Sequence, residues 1–379
     1  MEEWIKCPLG DILNFRRGHD LPKTSMIPGD IPVAGSNGII GFHNVSTPIS
    51  PCITIGRSGN VGTPYIYDKC WAHNTVLYID DYKGNDPKYL YYLLKTLPLA
   101  SFGGGSAVPT LNRNHIHPLE VVFCKDIELQ KKIAGILSKI DDKIELNRQI
   151  NDNLEQQAKA LYKSWFVDFE PFKDGDFVES ELGLIPEGWK VVELGEVTKQ
   201  ITEKVKNRTD VKVLSPVTTG ELVLSEEYFT KQVFSESIAK YIVVKPLQFA
   251  YNPARVNIGS LGMNTFEFDG CVSPVYVVFE CERDYQYFFD YFRKTEAFKE
   301  EVLARAIGGV RQSLSYKDFS LIKLIYPPRT IVEKFNRLYS NILVSINHNK
   351  VEANNLTDMR DTLLPKLMSG ELKINDLDC

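Results

Sequence analysis

No apolar run in this chain approaches the roughly 20 residues needed to cross a bilayer, which excludes a helical membrane span. Met1-Glu2-Glu3-Trp4 has neither a basic n-region nor an apolar h-region, so secretion is not expected. The seven cysteines include no Cys-x-x-Cys pair, and an odd number is unlike a disulfide framework. Reduced thiols in a cytoplasmic setting are expected instead. The phosphate-cradling pattern G-x-x-x-x-G-K-[ST] is missing, and nucleotide hydrolysis with it. His115 and His117 lack a Cys or carboxylate at metal-ligand spacing, so no metal site is expected. Asn252-Pro253-Ala254-Arg255 grazes the Asn-Pro-Pro-Tyr motif of amino-methyltransferases but lacks the second Pro and the stacking aromatic. No catalytic residue is assigned. A global excess of positive charge is absent too: 44 Lys+Arg stand against 49 Asp+Glu, a net charge of −5. For contact with a polyanion this decides little, because only the face that meets it matters.

What is present is ordinary in bulk and unusual in pattern. Hydrophobic residues at 43% and charged residues at 25% describe a soluble globular chain, and 379 residues suggest two to three domains. From Asp126 to Val167 there is no Pro and one Gly, Gly135. Apolar residues recur there at Ile133, Leu137, Ile140, Ile144, Leu154, Ala158 and Leu161, with Asn147 and Asn151 in the same 4-3-4-3 register. About 40 residues at 1.5 Å each give a rod of roughly 60 Å. A seam at period 3.5 calls for another helix.

That partner lies in the same chain. Between Arg329 and Met368 the seam returns as Phe335, Tyr339, Ile342, Ile346, Asn349, Ala353, Leu356 and Leu363, with Arg360 as a polar intruder. A shift of 202 positions maps Ile140 onto Ile342, Asn147 onto Asn349 and Leu161 onto Leu363. Asn147 and Asn349 at matching places suggest a register device that excludes slipped pairings. The rest repeats as well: Trp4 to Ile12 is echoed by Trp189 to Val197, and short β-rich runs follow each. The boundaries expected are a first globule over 1–125, a long helix over 126–169 and a linker over 170–190. A second globule over 191–328 and a second long helix with its tail over 329–379 complete the chain.

Within the globules, charge recedes from particular loops. Arg57 is the only charged residue between Asp30 and Asp68, and Arg113 the only one between Lys95 and Glu120. Arg255 is alone between Lys245 and Glu267, and Arg311 between Arg305 and Lys317. Acid-free loops with Gly, Ser and Asn let backbone N–H groups approach phosphates, while Arg can fork onto guanine. The candidate DNA contacts are therefore Arg57, Ser58, Asn60, Asn112 and Arg113 in the first globule. In the second they are Arg255, Asn257, Ser260, Arg311, Gln312, Ser315 and Lys317. Whether each would meet bases or phosphates is open. Residues 1–125 carry 11 Lys+Arg and 10 Asp+Glu, a balance of +1.

Three stretches carry a resemblance. Leu154-Glu155-Gln156-Gln157-Ala158-Lys159-Ala160-Leu161-Tyr162-Lys163-Ser164-Trp165-Phe166-Val167-Asp168-Phe169 resembles the central signature of type I restriction–modification specificity subunits. Gly183 to Trp189 resembles the entry to their second half, and Met359 to Leu372 their closing motif. The resemblance implies an α+β chain: two mixed α/β target recognition domains and two long helices pairing as an antiparallel coiled coil, in a pseudo-twofold tandem repeat. Each domain would read half of a split site in double-stranded DNA, and the helices would set the spacer. Two modification subunits using S-adenosylmethionine and restriction subunits using ATP and Mg would be the partners, with no cofactor in this chain. A solitary DNA-binding or anti-restriction relative without methylating partners is the other reading; a fused enzyme lacks room for a methyltransferase domain.

Overall fold

In the computed structural model, residues 4–104, 109–229, 234–235, 237–306 and 313–374 are described. They divide into two compact units. The first joins residues 1–150 to 348–379, and the second is 151–347. Each long helix is therefore shared: Ile127–Phe166 and Arg329–Ser369 each give one half to either unit.

Among its described residues the first unit holds nine strands: β1 (Trp4–Pro8), β2 (Asn14–Arg17), β3 (Ile31–Gly35), β4 (Gly38–His43), β5 (Cys52–Gly56), β6 (Pro64–Tyr67), β7 (Trp71–Ala72), β8 (Val76–Asp81) and β9 (Glu120–Cys124). They form a β1–β9 pair, an antiparallel sheet ordered β2-β8-β5-β6, and a sheet ordered β4-β3-β7 in which β3 and β7 run parallel. Alternation places Phe15, Ile53, Ile55, Leu77 and Ile79 on one sheet face, over the helix Pro87–Thr96. Asp86 caps that helix, accepting from Tyr89 N at 2.8 Å, and Pro87 occupies its first turn. Ile133, Ala134 and Leu137 of the first long helix close the core together with Leu364, Leu367 and Met368 of the second.

The second unit adds a hairpin of β10 (Phe177–Ser180) and β11 (Gly183–Pro186), then β12 (Lys190–Glu193), β13 (Thr198–Ile201), β14 (Lys212–Pro216), β15 (Leu222–Leu224), β16 (Ile242–Val244), β17 (Phe249–Tyr251), β18 (Leu261–Met263), β19 (Gly270–Val272), β20 (Val277–Cys281) and β21 (Lys323–Tyr326). Its sheets repeat those of the first unit. β12 pairs β21, one antiparallel sheet runs β13-β20-β17-β18, and the other is β15-β14-β19-β16 with β14 and β19 parallel. The stretch read as a linker is folded: Phe166, Phe169 and Phe172 surround Trp189 at ring separations of 5.9, 5.4 and 5.2 Å.

Within each unit the helix segments run antiparallel. In the first, Asn147 Nδ2 donates to Glu352 Oε2 (2.8 Å) and Arg360 Nη1 to Asp141 Oδ1 (2.8 Å). In the second, Asn151 Nδ2 donates to the Ile346 carbonyl (3.2 Å). Asn147 is 1% exposed and its Oδ1 has no partner, which costs stability. Asn349 is half-buried. After Ala158 the buried positions move to Tyr162 and Phe166 instead of Leu161. A straight helix drifts from a 3.5 repeat by about 20° per heptad, and here the drift turns two large rings into an aromatic cluster with Phe288 and Phe335.

The second unit also buries an ionic knot. Asp290, 4% exposed, accepts from Arg293 Nε (2.9 Å) and Lys294 Nζ (2.8 Å), while Arg293 Nη1 donates to the Leu261 carbonyl (2.8 Å). Burial pushes the Asp290 carboxyl up, but the two cations outweigh it and hold the group below its ordinary value. A depressed carboxylate gives stability that is present above its unfolded pKa of about 3.9 and lost as pH falls through the folded value. Asp290→Asn leaves Arg293 buried without its anion and should cost about 3–5 kcal/mol in denaturant unfolding at neutral pH. An unchanged midpoint would show the knot to be neutral.

Candidate nucleic-acid interface

The loop after β5 is drawn tight. Gly62 has φ +82° and its N–H returns to the Gly56 carbonyl at 2.8 Å; a Cβ there would lie 2.5 Å from Ala100 N. Arg57 N and Ser58 N both donate to the Thr75 carbonyl, at 2.8 and 3.2 Å, and the Arg57 carbonyl accepts from Leu111 N at 2.8 Å. Ser58 is bridged to Thr110. Two loops distant in sequence, one around Arg57 and one around Asn112, therefore share one surface with the turn at 73–76.

Individual side chains differ in how free they are. Arg57 is half-buried with Nη1 at 3.4 Å from the Asn74 carbonyl. Ser58 is half-buried and Asn60 exposed. Asn112 caps the short helix Arg113–Ile116, its Oδ1 accepting from Asn114 N at 3.0 Å. Arg113 is exposed, with Nη1 donating to the Phe15 carbonyl at 3.1 Å. His117 accepts from Phe15 N through Nε2 at 3.1 Å. Burial, Arg113 and Lys83 all lower its pKa, which keeps the ring neutral as that bond requires.

The second unit builds its counterpart from the loop after β17. Arg255 is exposed, its N–H on the Asn252 carbonyl (2.9 Å), and Asn257 is half-buried. Ser260 is 1% exposed and donates to the Pro216 carbonyl (2.7 Å), so its hydroxyl is spent inside the fold. Leu314 N reaches the Pro253 carbonyl at 3.1 Å, as Leu111 N reaches Arg57. Ser315 caps the short helix Tyr316–Phe319, accepting from Asp318 N at 3.1 Å, and Lys317 is exposed. Arg311 and Gln312 lie outside the described residues. A recess of about 320 Å³ opens beside Arg255, bounded among others by Asn252, Thr218 and Tyr276.

The two short helices match at a shift of 203, which sets Arg113 opposite Tyr316 and not Arg311. Both tie down a matching strand, Arg113 to β2 through the Phe15 carbonyl and Tyr316 to β13 through the Thr198 hydroxyl at 3.0 Å. Among the described residues, the loop of Arg57 is thus joined to Leu111 in the first unit and the loop of Arg255 to Leu314 in the second.

Comparison with known proteins agrees with this doubled architecture. Residues 1–156 match the family model described as the type I restriction modification DNA specificity domain. The MjaIX specificity subunit of Methanocaldococcus jannaschii is 29% identical over 307 residues, covering 76% of this chain and 70% of that one. The HindI specificity subunit of Haemophilus influenzae is 24% identical over 314 residues, covering 65% and 68%. The solved S subunit of a type I restriction–modification system from M. genitalium superposes with a TM-score of 0.67 at 17% identity, covering 96% of both chains. Over residues 1–156 the chain is similar to type I restriction–modification specificity subunits, and over nearly its whole length it shares the fold of one.

Sequence reasoning missed part of the surface around Arg57. Arg16 and Arg17 at the end of β2 are exposed, and His19, His73 and Asn74 flank them, with His19 bridged to His73. The Asn74 amide donates to Asp20, and His73 Nδ1 lies 3.0 Å from the Thr75 hydroxyl. The signal was available, since Arg16-Arg17 is the only adjacent basic pair in residues 1–125. Among the described residues no helix is long and apolar enough to cross a membrane, and no cluster of metal-ligating side chains occurs.

Proposed function

We propose that this chain is the DNA-recognising subunit of a type I restriction–modification complex. Each unit presents its pair of charge-poor loops to one half of a bipartite double-stranded site. The observation that carries the reading is the repetition of one sheet-and-loop plan in two units, each offering a single arginine after the matching strand, Arg57 after β5 and Arg255 after β17. The family match supports it. The chain is non-catalytic: two modification subunits methylate adenine with S-adenosylmethionine, and restriction subunits supply ATP- and Mg-dependent chemistry. The paired helices fix the spacer between half-sites and carry the docking surface for the modification subunits, with Asn147 and Asn349 keeping their register.

The test is the modified-adenine motif written by the assembled complex, with duplex affinity measured alongside. Arg255→Ala should relax one position of one half-site and cost about 1–3 kcal/mol on the cognate duplex. The other half-site should be unaffected. A motif unchanged at every position would remove Arg255 from the reading surface.

A further inference from the structure

Two arginines end up on one face of the first unit's four-stranded sheet. Arg17 follows Phe15 by two on β2, and Arg57 continues the alternation of Ile53 and Ile55 along β5, so both extend the face that carries Leu77 between them. Both strands are pinned to the same turn: Gly18 N donates to the Val76 carbonyl at 3.0 Å, and Arg57 N to the Thr75 carbonyl at 2.8 Å. The approach at Gly18 is close enough that a Cβ would sit 2.0 Å from the His73 carbonyl oxygen. Burial and the neighbouring Arg17 charge hold the Arg57 guanidinium below its ordinary pKa. The nearby carboxylates are already engaged by amides, Asp20 by Asn74 and Asp80 by Asn14 at 2.6 Å.

We propose that Arg17 and Arg57 together seat one phosphate of the DNA backbone, so that Arg57 fixes the register of the first unit on the duplex instead of reading a base. Two like charges held on one face need an anion with acceptors for both. A guanine edge offers one acceptor pair, which a single fork fills. The non-bridging oxygens of a phosphate accept from two guanidinium groups. The half-buried position of Arg57 and its Nη1 contact to Asn74 suit a fixed clamp. The second unit is built otherwise. The strand matching β2 is β13, where Ile201 pairs Val278 as Arg16 pairs Tyr78, so the place of Arg17 falls to the next residue, Thr202, which carries no charge. Arg255 stands there as one exposed cation. The inference rests on the DNA-binding reading and divides its arginines into two jobs.

The experiment measures affinity of the assembled complex, wild type and variant, for cognate and unrelated duplexes across salt, together with the methylated motif. Arg57→Lys keeps a cation for the phosphate but has no fork; it should leave the motif unchanged. Arg17→Ala and Arg57→Ala should each weaken cognate and unrelated duplexes by the same factor. The slope of log affinity on log salt should become shallower by about 0.9, so the loss between 50 and 200 mM shrinks about threefold. The double substitution should go no further than one phosphate's worth. Relaxation of a first half-site position in Arg57→Lys overturns the clamp while leaving the DNA reading intact. A wild-type complex without salt-dependent duplex affinity overturns both.

Discussion

Ending the chain after Phe172 is expected to yield a homodimer that reads a palindromic site made of the first half-site twice. The first unit is completed by the second long helix, which delivers Leu364, Leu367 and Met368 to the core around Ile133 and Leu137. Three such side chains contribute about 1.5–3 kcal/mol each when fully buried, comparable with the roughly 5–15 kcal/mol that holds a domain together. A truncated copy cannot leave that face open. The 202-residue shift places Tyr162, Trp165 and Phe166 where Leu364, Leu367 and Met368 stand. The end of one copy's helix can therefore fill the other's gap, and the same exchange in reverse gives an isologous pair. Sedimentation should report twice the chain mass. A folded monomer would mean the seam is dispensable.

Lengthening both long helices by a heptad should widen the spacer by about three base pairs and leave both half-sites unchanged. Seven residues add about 10 Å of helix, against roughly 3.4 Å per base pair, and rotate the seam by only about 20°. The insertions belong after Asn147 and after Asn349. Asn147 meets Glu352 and Asn151 meets Ile346, so these positions lie in the facing middle stretch of the pair and the new heptads would oppose each other. Four residues would add about 6 Å but turn the helix beyond the insertion by about 40°, and activity should collapse. The readout is the methylated motif. A constant spacer with both half-sites still read would show that the helices do not measure the site.

Much of the fold was legible because its repeat is written at two scales. The long helices announced themselves through period 3.5 and the shift of 202, and the sheets through matching β-rich runs. What sequence could not give was which globule each helix half completes, since the seam is apolar throughout and says nothing of ownership. The inward turn of Tyr162 and Phe166 was missed for a related reason: a strict helical seam predicts Leu161, but a globular core pulls the larger rings inward. The loops around Arg57 and Arg255 were visible as gaps in charge. The burial of Ser260 was not, because a serine in an acid-free loop looks the same whether it faces solvent or the Pro216 carbonyl. Arg17 escaped because its relation to Arg57 depends on strand order β2-β8-β5, which no local pattern encodes.

The sharing of each long helix between units also sets a clock on synthesis. Residues 1–150 emerge from the ribosome long before Leu364, Leu367 and Met368 exist. At about 5–20 residues per second, the first unit waits roughly 10–45 s with Ile133, Ala134 and Leu137 uncovered. During that interval the apolar face of one nascent chain can be satisfied by another on the same message. Co-translational pairing, and the holdase capture that prevents it, are therefore questions of translation speed between codons 150 and 370.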